Sequence, residues 1–243
     1  MRKIVIANLK GGSGKTTVAT SLAAWLGGAG HDTCLLDLDP QGAASAWLRR
    51  RPGNRPRIRG IAPPPRSRAV TMSFALRIPP LVDRLIVDTP AGLIGADLAD
   101  TVRGAAAVLI PVLPGEMDSA AAARTIRDLL LVAKLGRHSG RVAVVANRVR
   151  RRTVGARRLE RFIANLDIPL VATLHDSQAY AHAIREGLGL NELKSYRTRG
   201  EREAWQPLLE WLAERRVEIS AATALGPRRL PPERTPEPPT ATG

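Results

Sequence analysis

The sequence predicts an α/β protein with a doubly wound, mostly parallel sheet and helices on both faces. Short, continuously apolar runs alternate with longer helical patterns, which is typical of parallel sheets buried on both sides. The chain has 243 residues, enough for one α/β domain with a large core. A glycine-rich loop follows the first apolar run, and acidic residues end later runs. In such sheets ligands bind where the strands end, so these observations support one another.

The individual elements follow from periodicity and turn residues. Six apolar runs are predicted strands: residues 3–8, 33–37, 84–88, 107–112, 141–147 and 170–174, with one more short strand expected near 58–61. Helices are predicted over 15–29, 42–49, 96–103, 118–135, 154–166, 177–186 and 201–217. We therefore expect one domain over residues 1–217. Residues 218–243 contain six prolines and are predicted to be a disordered tail.

The loop after the first predicted strand is the most specific feature of the chain. Its eight residues are Lys10, Gly11, Gly12, Ser13, Gly14, Lys15, Thr16 and Thr17. Glycines allow the backbone to turn tightly and point its N–H groups at an anion, and the positive end of the next helix faces the same anion. Lys15 can reach the β- and γ-phosphates of a nucleotide, and the Thr16 hydroxyl can ligate Mg²⁺. The loop thus predicts ATP and Mg²⁺ as ligands.

Two further strand ends carry carboxylates. Asp37 and Asp39 are one residue apart at the end of the second strand and are expected to point the same way. Asp88 ends the third, and Gly92 follows closely enough to offer its N–H to a phosphate. Beside a triphosphate, such acids hold Mg²⁺ or orient the attacking water. The alternative is that they cap the following helices.

Composition excludes several classes of protein. Lys and Arg number 37 against 22 acids, a net charge of +15. A single cysteine, Cys34, lies inside an apolar strand, which excludes a disulfide framework and a four-cysteine metal site. Aromatic residues are only 3%, so an aliphatic, alanine-rich core is expected. No signal peptide precedes the first strand and no run approaches the ~20 apolar residues of a membrane span, so we expect a cytoplasmic protein.

These motifs together resemble the ParA/MinD family of ATPases, which carry the deviant Walker A loop K-G-G-x-G-K-[ST]. Position 9 is leucine, so the standard loop pattern fails by one residue while the deviant pattern is complete. The likeness extends over about residues 1–217 and is greatest to the short ParA partition type. Further segments that resemble this family are DLDPQ (37–41), DTPAG (88–92), IPVLPGEMD (110–118), VVAN (144–147) and, more loosely, 174–184.

The resemblance implies a role for each matching residue. Lys15 would hold the phosphates in its own subunit, whereas Lys10 would reach the nucleotide of a partner in an ATP-bound homodimer. Asp39 matches the acid that the family needs for hydrolysis. Together with Thr16 and Asp88, it would also belong to the shell around Mg²⁺. Asn147 matches a residue that contacts adenine. A slow ATPase, stimulated by a cargo-bound activating protein, is the expected activity.

Positive charge is concentrated in the second half of the chain. The resemblance places non-specific binding of double-stranded DNA there, and hence an association with the nucleoid. Arginine abundance with few aromatics fits contacts to the phosphate backbone. The candidates are Arg148, Arg150, Arg151, Arg152, Arg157, Arg158, Lys194, Arg197 and Arg199. The alternative is a solvated charged surface. A further arginine-rich segment, 49–68, has eight arginines and no assigned role.

Other functions stay open at this level. A MinD-like membrane ATPase would use an apolar face of the last helix, formed by Trp205, Leu208, Leu209 and Leu212, although the same face could pack on the sheet. Pro207 predicts that this helix starts late or bends. A nitrogenase-like iron–sulfur reductase needs two cluster cysteines per chain and is excluded. A P-loop metabolic ligase shares the fold but has no recognisable substrate site here.

Overall fold

The computed structural model describes residues 1–62, 78–136, 139–195 and 198–214. Several of the sequence predictions fall outside these ranges. They are the proline-rich tail 218–243, the last three residues of the predicted domain (215–217), part of the arginine-rich segment (63–68) and the DNA-binding candidate Arg197.

The strands of the described residues form one parallel sheet with seven members. In chain order they are β1 (Arg2–Ile6), β2 (Thr33–Asp37), β3 (Ile58–Ile61), β4 (Arg84–Asp88), β5 (Ala107–Val112), β6 (Val142–Val149) and β7 (Leu170–His175). Their spatial order is β3-β2-β4-β1-β5-β6-β7, so the chain winds outward from β1 in both directions. The predicted doubly wound sheet is confirmed, including the short strand β3.

The helices connect these strands on both faces of the sheet. They are α1 (Lys15–Gly28), α2 (Ala43–Arg50), α3 (Gly95–Val102), α4 (Glu116–Leu131), α5 (Val154–Ala164), α6 (Gln178–Arg185), α7 (Arg199–Glu203) and α8 (Gln206–Ala213), with a 3-10 turn at Leu190–Glu192. The predicted helix 118–135 is wrong at its end. The helix stops at Leu131, which is 70% exposed, and Lys134 adopts a left-handed φ of 52°.

The core lies in two layers because alternate strand residues point to opposite faces. In β1, Ile4 and Ile6 pack in one layer with α1, whereas Val5 packs in the other. Cys34 belongs to this second layer and is fully buried, and burial raises the pKa of its thiol to about 12. As predicted, this cysteine is a core residue.

The apolar face of the last helix faces the protein interior. Trp205 and Leu208 are fully buried and Leu212 is 7% exposed, all within the layer that contains α1. The Trp205 indole N–H donates to the Tyr180 hydroxyl at 3.1 Å. Pro207 lies in the first turn of α8, so the predicted late start is confirmed. The described part of this helix therefore offers no free apolar face for a bilayer. The buried core is mostly aliphatic and rich in alanine, as predicted, with a few aromatic residues such as Trp47 and Trp205.

Two arginines of the segment 49–62 are structural. Arg51 and Glu192 form a bidentate ion pair, with both side chains 6% exposed and N–O distances of 2.6 and 2.9 Å. Arg59 of β3 pairs with Asp32 at 3.0 Å. These contacts hold the edge of the sheet and the turn after α6 together, which gives part of this segment the role that sequence left open.

Candidate nucleotide-binding site

The register of the sheet brings the predicted site together. Ile6 of β1 pairs with Asp88 of β4, and Asp88 pairs in turn with Asp37 of β2. The phosphate loop, residues 10–17, leaves β1 at this edge. A loop and two acids separated by as many as 78 positions are therefore neighbours because three parallel strands end at the same level.

The phosphate loop turns through two glycines in the left-handed region. Gly12 has a φ of 75°, and Gly14, the residue before α1, has a φ of 93°. A side chain on Gly14 would also collide with the amide of Asn147, so this position requires glycine twice over. Gly11 is different. Its φ is not positive, and an added Cβ would meet only Ala91 at an ordinary 3.7 Å. Within the described structure, Gly12 and Gly14 are therefore the loop positions whose backbone conformation requires glycine.

The two lysines of the loop contact oxygens of the protein. Lys15 is 6% exposed, and its ammonium donates to the Lys10 carbonyl at 3.2 Å. Burial lowers the pKa of Lys15, while Asp88 and Asp39 act in the opposite direction. The Lys10 ammonium pairs with Asp118, in the first turn of α4, at 2.7 Å. The two ammonium groups thus have separate partners in this state.

Asp88 is the least satisfied group of the site. It is fully buried, and neither carboxylate oxygen has a hydrogen-bond partner among the described residues. Burial raises its pKa to about 7; the Thr16 side chain and Lys15 oppose this shift, and Asp37 and Asp39 add to it. A buried carboxylate beside a threonine hydroxyl fits a hard cation.

Protein ligands alone do not make a complete metal site here. Within the described ranges, no group of three or more His, Cys, Asp or Glu side chains is arranged to hold a metal ion. Mg²⁺ usually retains waters and shares its shell with substrate phosphates. Thr16 and Asp88 therefore suit a metal that arrives with a nucleotide.

Asp37 and Asp39 differ despite their spacing. Asp37 is 2% exposed and accepts N–H groups from Asp39 at 3.2 Å and from Ser45, in the first turn of α2, at 2.7 Å. For Asp37 the helix-capping alternative is thus the observed one. Asp39 is half-buried and accepts only the Gln41 N–H, at 3.0 Å, among the contacts of its side chain in the described structure. It remains available at the rim.

Asn147 and Gly92 brace the loop. Asn147 is 4% exposed; its side-chain N–H donates to the Ser13 carbonyl at 2.8 Å, and its side-chain oxygen accepts the N–H of the next residue. The Gly92 N–H donates to the Leu9 carbonyl at 2.9 Å. Sequence reasoning assigned these two residues to adenine and to a phosphate. In this state their donors are bonded to the backbone around the loop.

Several residues that hold the site had no role assigned from their sequence context. Asn8 donates to the Pro111 carbonyl at 2.7 Å and accepts the Lys10 N–H at 3.0 Å. Thr125 of α4 accepts the Leu9 N–H at 3.1 Å. Asp118 lies within the segment 110–118 that resembles the family, but its ion-pair partner Lys10 is 108 positions away in the sequence, so this contact was not predicted. Only the polar residue at the end of an apolar strand, Asn8, carried a signal that could have been used.

Among the candidate DNA-binding residues, Arg148 lies near the end of β6, and Arg150, Arg151, Arg152, Arg157 and Arg158 follow this strand at the edge of the sheet where the phosphate loop lies. Lys194 and Arg199 come later, after the 3-10 turn at Leu190–Glu192. The candidates that the structure describes are exposed. Three are paired with acids: Arg150 with Asp176 at 2.7 Å, Arg158 with Glu116 at 2.6 Å and Arg199 with Glu203 at 2.9 Å. Arg151 donates to His175 at 3.0 Å. The remaining side chains form no ion pair or hydrogen bond with another described residue: Arg148, Arg152, Arg157 and Lys194.

The sheet order, the loop between β1 and α1, and the buried acids define a P-loop nucleotide-binding protein. Residues 4–190 match the model of the CobQ/CobB/MinD/ParA nucleotide binding domain, and the chain belongs to this family. The resemblance to ParA and MinD proteins is thereby confirmed.

Individual relatives are similar over most of their length. The maintenance of carboxysome distribution protein A of Gloeobacter kilaueensis is 32% identical over 205 residues, 84% of this chain and 88% of that protein. The protein of the same name from Halothiobacillus neapolitanus is 29% identical over 191 residues, 78% and 87%. A solved structure of Cyanothece McdA in complex with ATP has a TM-score of 0.61 and 19% identity, and covers 96% of this chain and 99% of that one. This last likeness supports the fold.

No helix within the described residues is both long and apolar enough to cross a membrane.

Proposed function

We propose that this chain is a Mg²⁺-dependent positioning ATPase. ATP binding pairs two copies, the paired form binds double-stranded DNA without sequence preference, and a cargo-bound protein triggers hydrolysis and release. The observation that carries the proposal is the two-lysine loop next to the buried, unsatisfied Asp88 in a chain of this family. We expect the protein in the cytoplasm, associated with the nucleoid.

The phosphate loop and Asp88 would bind the Mg²⁺ complex of ATP. Lys15 and the loop N–H groups would hold the phosphates, Thr16 and Asp88 the metal, and Asn147 the adenine after leaving the Ser13 carbonyl. The bound Mg²⁺ would neutralise charge on the β- and γ-phosphates. Lys15→Ala should abolish nucleotide binding, measured with a fluorescent ATP analogue; unchanged affinity would contradict this assignment.

Asp39 is proposed to orient the water that attacks the γ-phosphate. It is half-buried at the rim and, among the described residues, its side chain accepts only one backbone N–H, whereas Asp37 is committed to α2. Asp39→Ala should therefore bind ATP and pair normally but fail to hydrolyse it. Asp37→Ala, by contrast, should lower stability by removing two N–H contacts. Normal turnover in Asp39→Ala would rule out this role.

Lys10 is proposed to contact the nucleotide of a second copy. Its side chain is 36% exposed at the front of the loop, while Lys15 already lies against the loop from within. An ammonium beside a second copy's triphosphate would make pairing depend on ATP. Lys10→Ala should bind ATP as a monomer, and ATP-dependent dimers of this variant in light scattering would refute the cross-subunit contact.

DNA binding is proposed to rest on the unpaired cations that follow β6. Arg148, Arg152 and Arg157 are exposed and free of described acids, whereas the charges of Arg150 and Arg158 are compensated by acids. Cations without an acid partner can neutralise DNA phosphates without giving up an ion pair.

The decisive experiment measures DNA retention with ATP, ADP and no nucleotide at about 50 and about 200 mM salt. We expect retention with ATP only, falling steeply with salt. Arg152→Ala and Arg157→Ala each remove two cations from the paired form and should each reduce the salt slope by about 1.8, or about 0.9 per phosphate contact. Arg103→Ala, which removes the same charge at the opposite end of the sheet, is the matched control. Salt-independent binding, or an equal loss in the control, would contradict the proposed surface.

The cargo is proposed to be a large protein assembly. Two relatives that match over most of their length are named for the distribution of carboxysomes. The competing membrane-bound ATPase would float with anionic liposomes in the presence of ATP. Because Trp205 and Leu208 are buried, we expect no flotation from the described part of the chain.

A further inference from the structure

The ion pair between Lys10 and Asp118 is short and mostly buried, unlike an ordinary surface ion pair. The ammonium and carboxylate are 2.7 Å apart, and the Asp118 side chain is only 10% exposed. Its second oxygen is buried without a hydrogen-bond partner among the described residues. The carboxylate therefore depends on Lys10 for its charged partner, and loss of Lys10 would leave a buried charge uncompensated.

The backbone around Lys10 is fixed to the same helix. The N–H of Leu9 donates to the Thr125 hydroxyl, two turns along α4 from Asp118, at 3.1 Å. Gly115, just before α4, passes so close to Asp118 that an added Cβ would lie 2.6 Å from its carboxylate. Asp118 thus has little freedom to follow Lys10 if the lysine moves away.

We propose that Asp118 is a positioning residue that holds Lys10 in the nucleotide-free chain and competes with the triphosphate of a second copy. The inference rests on the proposed ATP-dependent pairing. An ammonium that bonds a neighbouring chain's phosphates must leave Asp118, and the free energy of that separation is subtracted from the free energy of pairing. Asp118 therefore sets how much ATP-bound chain is needed before dimers form.

The test compares Asp118→Asn with the wild-type chain in ATP-dependent dimerisation, followed by sedimentation or light scattering. Each symmetric dimer separates two such pairs, so at about tenfold per pair the variant should form dimers at about hundredfold lower protein concentration. Asp118→Glu, which keeps the charge, should restore dimerisation toward the wild-type concentration. Affinity of the monomer for ATP should stay the same in all three, because Asp118 contacts Lys10 and not Lys15.

Asp128→Asn is the matched control. Asp128 lies on the same helix, is also mostly buried at 14% exposure, and has an ion pair with its neighbour Arg127 at 3.7 Å rather than with the loop. The control should dimerise like the wild type. An unchanged or higher dimerisation concentration in Asp118→Asn, or an equal shift in Asp128→Asn, overturns the proposal.

A second measurement separates the failure of this inference from that of the proposed function. Unfolding of the nucleotide-free chain in urea is compared for the wild type, Lys10→Met, Asp118→Asn and the double variant. The two substitutions should be strongly non-additive if the pair exists in solution. Additive effects overturn the held state itself. A wild-type chain that never dimerises with ATP overturns the pairing in the proposed function, a result seen before any variant is compared.

Discussion

Asp88 makes a prediction about pH that follows directly from its burial. The carboxyl group is fully buried between Asp37 and Lys15, with both oxygens lacking a hydrogen-bond partner among the described residues. Burial raises its pKa from 3.8 to about 7, mainly because no solvent remains to stabilise the charge. We predict that Asp88→Asn stabilises the nucleotide-free protein at neutral and higher pH.

The sign and size follow from the two pKa values. Between about pH 4 and pH 7 the folded chain keeps a proton on Asp88 that the unfolded chain has lost, so the free energy of unfolding falls as pH rises through this window. Above pH 7 the folded state carries the full penalty. The rise in the pKa of Asp88 from 3.8 to about 7 corresponds to a loss of about 4 kcal/mol in the free energy of unfolding. Asparagine has no charge to bury, so its advantage over aspartate should grow from about zero near pH 4 to at most this value.

Urea denaturation without nucleotide and with EDTA, at pH 5, 6, 7 and 8, measures this difference. Asp100→Asn is the control, because Asp100 is exposed and its pairing with Arg103 is a surface contact. Its curve should run parallel to that of the wild type. Parallel curves for Asp88→Asn as well, or a variant less stable than the wild type at pH 8, would refute the reasoning. The same substitution should weaken binding of ATP with Mg²⁺ while stabilising the empty protein.

Three further substitutions test the packing. Lys3 is 7% exposed, and burial, together with Arg103, lowers its pKa to about 8. Lys3→Met should therefore raise the free energy of unfolding at pH 7 by up to about 3 kcal/mol. Urea denaturation should show this gain at pH 7 and show it disappear toward pH 10. Glu192→Gln leaves Arg51 buried opposite a neutral group and should cost about 3–5 kcal/mol in the same assay; a loss under 1 kcal/mol would mean that the pair is solvated. Gly187→Ala should lower the melting temperature by several degrees, because the φ of Gly187 is 66° and an added Cβ would lie 2.6 Å from the backbone nitrogen of Arg51. An unchanged melting temperature would contradict this crowding.

The sequence predicted the sheet and its functional edge because both depend on local pattern. Apolar runs indicate buried parallel strands, and ligands bind at the carboxyl ends of such strands. These two facts were enough to predict that Lys15, Asp39 and Asp88 lie in one site. Element ends were harder. Val132 and Leu135 continue the apolar helical period beyond Leu131, and the left-handed φ of Lys134 has no signature in the sequence.

Partners in the tertiary structure were beyond the sequence. Nothing local distinguishes Asp37, which serves α2, from Asp39, which stays at the rim. The same holds for Arg150, whose charge Asp176 compensates, and Arg152, which has no ion pair with any residue that the structure describes. Choosing among such neighbours requires the position of distant acids, and that depends on how helices pack on the sheet.

The hydrogen bonds of the site residues indicate why Mg²⁺ should matter most at one residue. Lys15, Asn147 and the Gly92 N–H already donate to protein carbonyls, so a nucleotide would exchange these bonds for others and gain only the difference between them. Charge-assisted bonds to phosphate are roughly twice as strong as neutral ones, so the exchange is favourable but modest for each donor. Asp88 has no such bond to give up, since its oxygens are unsatisfied among the described residues. A cation delivered with the phosphates would therefore displace only the proton that a carboxyl group with a pKa of about 7 partly retains, which makes Asp88 the group that couples metal to nucleotide.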